Sequence, residues 1–355
     1  MIDILETLVN FRPVTKDQQA VGELLTYVEG HFVARGLHVE RQTHNGVESL
    51  YASTQGTSHA KVMLQGHIDV VPNGEKFGVN GDRITGRGCY DMLFATASFL
   101  RLIDELDDPT RYDLSLLLTG DEEVGGFNGV GTIMKAPDYT CDVCVLPDAG
   151  EGLGTMSIGA KGVMQLILRA DGAAHHASRP WEGDGAAGKL VTFLDNFTKV
   201  FDTSSKTNST MTISKLEAGS EALNQGPATA RAGVDIRYTD KDDLTRIKNE
   251  LTKLKKEFDV SVEYEQIASD FNLDMTHPLV QKFTTIYETS INTPVRTIRA
   301  HGSSDARFFD EKGIPVIMFR PDGGGAHADN EWLSKASWEK FHGILERYVQ
   351  ETAIR

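Results

Sequence analysis

Cysteine, basic residues and long apolar runs are all scarce in this 355-residue sequence. Three cysteines, Cys89, Cys141 and Cys144, do not form the disulfide framework of a small secreted protein. The formal net charge of -15 argues against nucleic-acid or anionic-membrane partners, because phosphate groups need a basic surface. No apolar stretch approaches the roughly 20 residues that span a bilayer. We therefore predict no nucleic-acid partner and no membrane partner.

The residues that are present are typical of a globular protein. The hydrophobic fraction is 40% and the charged fraction 25%, in a chain long enough for two domains. The N-terminal segment is amphipathic and charged, without the apolar core of a signal peptide. We expect a cytoplasmic enzyme.

Helical periodicity and short apolar runs alternate in the first half of the chain. A helix pattern covers 16–35, and apolar runs follow at 61–64, 114–118 and 142–146. A second helix pattern, at 92–106, lies between two of these runs. Such alternation predicts an α/β fold with a mainly parallel sheet flanked by helices.

The pattern changes in the second half of the chain. Two segments there alternate apolar and polar residues, as half-buried antiparallel strands do, and helix-like segments cover 185–201 and 240–257. We predict a discontinuous catalytic, metal-binding domain over 1–160 and 269–355, with an inserted α+β domain over 161–268.

Histidine and carboxylate residues follow the predicted strands. His67 comes after the run KVML, and Asp69 is placed to accept the proton of its second ring nitrogen. Asp91 lies at the start of a helix, where it could equally be an N-cap. Glu122 and Glu123 follow LSLLL and Asp121, and such crowding is costly unless cations or protons relieve it. A loop histidine and a solvated acidic loop are the structural alternatives.

Two further candidates lie at later strand ends. Asp148 follows the run DVCVL, and His327 lies in a glycine-rich loop after PVIMF. Three residues that follow His327 could orient its imidazole: Asp329, Asn330 and Glu331. Together the two histidines and three carboxylates suit zinc, or a pair of divalent ions that share one carboxylate.

These motifs, in their order along the chain, resemble those of a known enzyme family. The matching elements are GHIDVVP, GRGCYD, DEEVGG, PD, HHASRP, EALNQGPATARAGVDIRYT, HGSSDARFF and AHADNE. They resemble the family of acetylornithine deacetylases, succinyl-diaminopimelate desuccinylases, glutamate carboxypeptidases and aminoacylases. The resemblance implies a zinc-peptidase-like catalytic domain and an inserted lid domain that also forms a homodimer.

The resemblance also implies roles for the candidate ligands. Two divalent cations, most suitably Zn²⁺ with Co²⁺ or Mn²⁺ as alternatives, would share the Asp91 carboxylate. His67 and Asp148 would complete one site, and Glu123 and His327 the other.

Three catalytic roles follow from the same resemblance. Glu122 would be the general base, Asp69 the partner of His67, and His176 a donor to the tetrahedral oxyanion, reaching a neighbouring active site. His176 could instead be an ordinary surface histidine of the lid.

Four residues are similar to positions near the substrate in that family. Arg307 would clamp a substrate carboxylate, or pair structurally with Asp305 or Asp310. The full set of candidates for substrate binding is Asn224, Arg237, Ser304 and Arg307.

The sequence departs from the family pattern at three places. Met92, Leu93 and Phe94 follow Asp91 where the family usually has Met-Lys-Gly, and Gly185 replaces an asparagine of the lid motif. Asp148 stands where the biosynthetic deacylases usually have glutamate, as in peptidase-like members.

The predicted function is the metal-dependent deacylation of a small N-acyl amino acid that carries a carboxylate. A metal-bound hydroxide would attack the amide, with Glu122 as general base. A dipeptidase or an exopeptidase (a carboxypeptidase or aminopeptidase) of the same family, with a peptide substrate, is the alternative enzyme. A catalytically inactive, dimeric metal-binding scaffold is the alternative from another class.

Overall fold

The computed structural model describes residues 1–219 and 222–355 and divides into two compact units. The first unit comprises Met1–Ile158, Asn272–Ile298 and Ser304–Arg355, and the second comprises Gly159–Phe271 and Arg299–Ser303. No helix in the described part of the chain is long and apolar enough to cross a membrane.

The α-helices are numbered here in chain order. They are α1 (Ile2–Asn10), α2 (Gln18–Ala34), α3 (Leu93–Glu105), α4 (Val130–Ile133), α5 (Ala186–Thr198), α6 (Lys241–Phe258), α7 (Pro278–Ile291), α8 (Ala306–Asp310) and α9 (Lys335–Thr352). Short 3₁₀ turns cover Pro109–Arg111, Glu122–Val124 and Pro180–Glu182.

The strands are numbered in the same way. They are β1 (His38–His44), β2 (Val47–Ser53), β3 (His59–His67), β4 (Gly78–Asn80), β5 (Arg83–Thr85), β6 (Leu114–Thr119), β7 (Thr140–Val145), β8 (Thr155–Ala160), β9 (Gly162–Asp171), β10 (His175–His176), β11 (Thr210–Ala218), β12 (Gln225–Gly226), β13 (Thr229–Tyr238), β14 (Val260–Ala268), β15 (Phe271–Asn272), β16 (Arg296–Ala300), β17 (Val316–Ile317), β18 (Gly323–Gly324) and β19 (Trp332–Ser334).

The first unit is built on a mainly parallel sheet. Its strand order is β1-β2-β6-β3-β7-β17, in which β3 pairs in parallel with β6 and β7, and β17 pairs in parallel with β7. The predicted apolar runs lie in β3, β6 and β7, and every residue of β6 is buried. Because parallel strands end at one edge of the sheet, the segments after β3, β6 and β7 are brought together. The predicted α/β fold is confirmed.

The second unit is an antiparallel sheet packed against two helices. The strand order is β11-β13-β9-β14. Alternate residues of β9, including Met164, Leu166 and Leu168, are buried in a core that also contains Phe193 and Phe197 of α5. Period-two burial of this kind is what a sheet with one covered face requires.

Local signals in the sequence fix the longest helix of the second unit. The Asp240 side chain accepts the N–H of Asp243 at 2.9 Å and so caps α6 at its N-terminus. Lys255 and Lys256 lie in the last turn, where positive charge is favourable.

Candidate metal centre

His67 is the last residue of the central strand β3, and its side chain is 1% exposed. Its Nδ1 lies 2.9 Å from the backbone oxygen of Asp69, which leaves Nε2 for the cluster of carboxylates at the sheet edge. That Nε2 is 3.3 Å from Asp91 Oδ1, 3.9 Å from Asp148 Oδ1 and 4.0 Å from Glu122 Oε2. Segments that follow three strands therefore converge on one imidazole nitrogen.

Asp91 lies between the two predicted histidine ligands. Its Oδ1 faces His67, and its Oδ2 is 3.2 Å from Nε2 of His327. The same His327 nitrogen is 2.9 Å from Glu123 Oε2. One carboxylate thus faces two nitrogen donors, and the structure brings all five predicted ligands to the same place.

Glu331 holds the backbone that carries Asp91. Its carboxylate is 1% exposed and accepts the N–H groups of Gly88, Tyr90 and Asp91 at 2.8–3.0 Å, together with Arg87 Nη1 at 2.6 Å. The expectation that this glutamate orients the nearby imidazole is wrong. Its oxygens accept hydrogen bonds from the loop before α3, and no local pattern in the sequence predicts this contact.

Asp69 binds backbone N–H groups and also lies beside the His67 imidazole. Its carboxylate accepts the N–H of Glu122 at 3.1 Å, the N–H of Glu123 at 3.3 Å and the hydroxyl of Thr15 at 2.9 Å. A carboxylate oxygen lies 3.6 Å from His67 Nδ1, and the backbone oxygen of Asp69 is closer to that nitrogen, at 2.9 Å. Asp69 therefore sets the position of the turn that carries both glutamates, and its predicted role as the partner of His67 stays a prediction.

Burial and mutual repulsion shift the carboxyl groups of the cluster. Burial raises the pKa of Glu123 to about 7 and that of Asp148 to about 6, with the charge of Asp91 adding to both. Burial and the charge of Asp148 also raise the pKa of Glu122 well above its usual value. Burial acts in the same direction on Asp91, but hydrogen bonds from His327 and His67 hold its pKa far below the ordinary range.

These residues fit a pair of divalent cations. Ligand atoms of His67, Asp91 and Glu123 lie within 4.8 Å of one another. Imidazole nitrogens and carboxylate oxygens are the ligands that zinc takes at catalytic sites. Crowded carboxylates with raised pKa values are groups from which a cation displaces protons.

Arg307 is buried beside the turn that carries Glu122. Its side chain is 3% exposed, and its guanidinium donates to the carbonyls of Ser304, at 2.8 Å, and of Gly125. The guanidinium carbon lies 4.2 Å from the ring centre of Phe308 and 5.4 Å from that of Phe127. These contacts tie the Glu122 turn to α8, and the predicted contact of Arg307 with a substrate carboxylate stays a prediction.

Ser304 lies beside the cluster rather than in open solvent. Its hydroxyl is 3.4 Å from Asp148 Oδ2 and can donate to that oxygen. Its side chain is buried, so the structure supports a role in orienting Asp148.

The burial of the residues after Asp91 explains why the lysine of the family motif is absent here. Met92, Leu93 and Phe94 are all fully buried, and the Phe94 ring packs edge-on against Phe341 at 5.3 Å. A lysine there would have to lose its charge or displace the core.

His176 and its neighbours lie in the second unit. The Nδ1 atom of His176 accepts the backbone N–H of Ser178 at 3.2 Å, which places the proton of the neutral ring on Nε2. Gly185 lies against the adjacent His175, whose Cε1 would be 3.1 Å from a Cβ at that position. A side chain at position 185 would therefore make a tight contact with the His175 ring.

The two other candidates of the second unit have protein partners. The backbone carbonyl of Asn224 accepts the N–H of Ala177 at 2.8 Å, while its side chain is exposed. Arg237 donates from Nε to Asp235 Oδ1 at 2.7 Å. Their predicted contact with substrate stays a prediction.

The parallel sheet and the shared carboxylate at its edge define a class of enzyme, the metallohydrolases that act on amide bonds. Residues 63–351 match the profile of Peptidase family M20/M25/M40, and the chain belongs to this family. The family resemblance seen in the motifs is confirmed, and the family implies divalent metal binding.

Curated relatives extend over nearly the whole chain. Succinyl-diaminopimelate desuccinylase of Sulfurovum sp. (strain NBC37-1) is 25% identical and is aligned over 99% of this chain and 98% of its own length. The enzyme of the same name from Methylobacterium sp. (strain 4-46) is 28% identical, with 98% and 94% covered.

Solved structures share the fold. A tripeptidase from Staphylococcus aureus superposes with a TM-score of 0.82 at 18% identity, covering 99% of this chain and 97% of that one. An M20 family metallo-carboxypeptidase from Sulfolobus solfataricus superposes with a TM-score of 0.78 at 18% identity, covering 99% of both chains.

Proposed function

We propose that the protein removes the acyl group from a small N-acyl amino acid by hydrolysis of its amide bond. The observation that carries the proposal is the position of Asp91, whose two oxygens face His67 and His327 within 3.3 Å. Glu123 and Asp148 supply one further carboxylate on each side, and Glu122 remains for proton transfer. The relatives named succinyl-diaminopimelate desuccinylase support deacylation as the reaction.

Five side chains would hold the cations. His67, Asp91 and Asp148 are proposed for one, and Asp91, Glu123 and His327 for the other. Two nitrogen and three carboxylate donors make zinc the best match, with cobalt or manganese as alternatives. When bound, such a pair polarises the amide carbonyl and makes a water molecule acidic enough to attack at neutral pH.

Glu122 is proposed as the group that moves the proton. Its side chain is 17% exposed, so it is open to a reacting water, and its backbone is held by the Asp69 carboxylate. The carboxylate takes a proton from the attacking water as the new C–O bond forms. It returns that proton to the nitrogen as the C–N bond breaks, so the amine leaves neutral.

The second unit is proposed to act as a lid and as a homodimer contact, with His176 donating to the oxyanion from Nε2. The tautomer fixed by Ser178 supports this role, because it leaves Nε2–H as the donor. Cytoplasmic location stays a prediction from the cysteine content.

Glu122→Gln tests the mechanism directly. We expect kcat to fall by about 10³-fold, because the amide cannot accept the water proton, while metal content stays unchanged. Purified protein loaded with zinc or cobalt would be assayed on N-acetyl and N-succinyl amino acids and on dipeptides. Hydrolysis of dipeptides alone would favour the peptidase alternative.

Glu339→Gln is the matched control, because Glu339 is an exposed glutamate of α9. It is expected to keep full activity. A fully active Glu122→Gln enzyme would contradict the mechanism. Wild-type protein without stoichiometric zinc, cobalt or manganese would contradict the metal assignment.

A further inference from the structure

Arg320 follows β17 at the edge of the parallel sheet where the candidate ligands gather. Its Nε donates to the backbone oxygen of Gly150 at 2.8 Å. Gly150 lies two residues beyond Asp148, and a Cβ there would be only 3.3 Å from Arg320 Cγ, at a φ of 145°. The close approach of this arginine therefore requires glycine at position 150.

The other side of the guanidinium rests on Tyr90. Its central carbon is 4.3 Å from the ring centre, a distance at which cation–π attraction holds an arginine in place. Tyr90 is buried and directly precedes Asp91. Arg320 is thus fixed between the segments that carry Asp91 and Asp148, two of the proposed ligands.

Arg320 differs from Arg87 and Arg307, the other arginines near this site, in the partners of its guanidinium group. Arg87 donates from all three nitrogens, to Asn73, Glu331 and Ala328, and the fork of Arg307 is bound to backbone carbonyls. Within residues 1–219 and 222–355, by contrast, Arg320 forms no ion pair with a carboxylate within 4.0 Å.

The Arg320 guanidinium lies next to the candidate metal centre, between the segments that carry Asp148 and Asp91. The side chain is half-buried, so a ligand can reach it. A partly desolvated cation without an acidic partner, held rigidly beside a hydrolytic centre, is a site for an anionic group of a ligand.

We propose that Arg320 binds a carboxylate of the substrate through its terminal nitrogens and so selects anionic amides. The inference rests on the proposed function and names its substrate class. A planar guanidinium donates two parallel hydrogen bonds to the two oxygens of a carboxylate, which a neutral carboxamide cannot match. The selected carboxylate can belong to the amino-acid side or to the acyl side of the amide bond.

Three substrates distinguish these two positions of the carboxylate. An N-acetyl amino acid carries the carboxylate on the amino-acid side, and the same compound with its α-carboxylate converted to a carboxamide carries none. An N-succinyl amino-acid carboxamide carries the carboxylate on the acyl side. We expect wild-type kcat/KM to favour one carboxylate-bearing substrate over the neutral one by about 10- to 100-fold. Arg320→Gln is expected to abolish that preference by raising KM for the favoured substrate, so that kcat/KM falls at least about tenfold more for that substrate than for the neutral one.

Arg83→Gln is the matched control, because Arg83 also stacks on an aromatic ring, at 4.4 Å from the Trp332 ring centre, and is exposed. It should keep the preference. Arg320→Lys retains the charge without the planar guanidinium, and its preference for the carboxylate-bearing substrate is expected to lie between those of wild type and Arg320→Gln. This second variant also tests the assignment if Arg320→Gln folds poorly.

Two results would overturn the assignment. One is an Arg320→Gln enzyme that keeps the carboxylate preference, and the other is an equal loss on charged and neutral substrates, which marks a purely structural arginine. Failure of the proposed function is a different result, because metal-loaded wild-type enzyme would then hydrolyse none of the three amides.

Discussion

Asp69 and Glu331 are buried carboxylates whose oxygens bind backbone N–H groups. Asp69 holds the turn with Glu122 and Glu123, and Glu331 holds the loop with Asp91. Because a carboxylate bound by several N–H groups is satisfied without a cation, these two acids position the site rather than compete for metal.

Asp305 is a buried acid of the first unit that is not a proposed metal ligand, and its burial predicts a pH effect on stability. Both of its oxygens lack a hydrogen-bond partner in the described part of the chain, and burial raises its pKa to about 7. The folded state therefore holds this proton more tightly than the unfolded state. Its contribution to stability is present at low pH and is lost as pH rises from about 4 to about 7.

Asp305→Asn should remove that loss. Relative to wild type, the free energy of unfolding of the metal-free variant is expected to increase by about 1–3 kcal/mol between pH 5 and pH 8. Urea unfolding at several pH values measures it. Asp107→Asn, which changes an exposed aspartate, is the control. The prediction would be refuted if the difference in free energy of unfolding between Asp305→Asn and wild type did not change with pH.

At the scale of elements, the turn Glu122–Val124 depends on the two glycines that follow it. Gly125 has φ 106° and donates to the Glu122 carbonyl at 2.7 Å, and Gly126 has φ 64°. A Cβ at Gly126 would lie 2.1 Å from Asp305 Oδ1. A side chain at that position would collide with the Asp305 carboxylate, so either that carboxylate or the turn that carries Glu122 would have to shift.

Comparing Gly126→Ala with Gly81→Ala separates the effect of this clash from the strain of placing alanine at a positive φ. Gly81 has a similar φ, 61°, and a Cβ at that position would point into open space in the described part of the chain. Gly81→Ala should therefore cost only about 1 kcal/mol. Gly126→Ala should cost more than about 2 kcal/mol and lower kcat, as urea unfolding and steady-state kinetics will show. Equal losses of stability with unchanged kcat would rule this account out.

Element boundaries and strand ends were predictable because their signals are local. The runs that became β3, β6 and β7 are apolar and bounded by turn residues, and the ligands follow them directly. The contacts that Glu331 and Arg307 make in the structure could not be predicted, for the opposite reason. Their partners, such as Gly88 and Gly125, are more than a hundred residues away in sequence, and no periodicity records such a contact. Arg320 was overlooked because a single arginine after a strand has no distinctive spacing.

At the scale of the whole molecule, β11 is an edge strand of the second unit, and most of it is exposed. Ile213 is 41% exposed and Leu216 is 55% exposed on this strand. An exposed edge with apolar side chains is a surface on which another chain can pair. It supports the proposed homodimer.

The double variant Ile213→Lys/Leu216→Lys should be monomeric by light scattering, because lysines on an edge strand oppose pairing. Val33→Lys, at an exposed valine of α2, should leave the oligomeric state unchanged. If His176 acts on a neighbouring subunit, the monomer will keep its metal and lose activity. A monomeric wild type, or a double variant that still dimerises, would disprove this role of β11.

The discontinuous first unit has a consequence for biosynthesis. Four of the five proposed ligands precede the second unit in the chain, and His327 follows it. During translation the crowded carboxylates near His67 are therefore made long before the residue that completes the set. Glu331, which holds the Asp91 loop, is made later still. The set of proposed ligands is complete only once His327 has been made, so we expect metal uptake late in the folding of the chain.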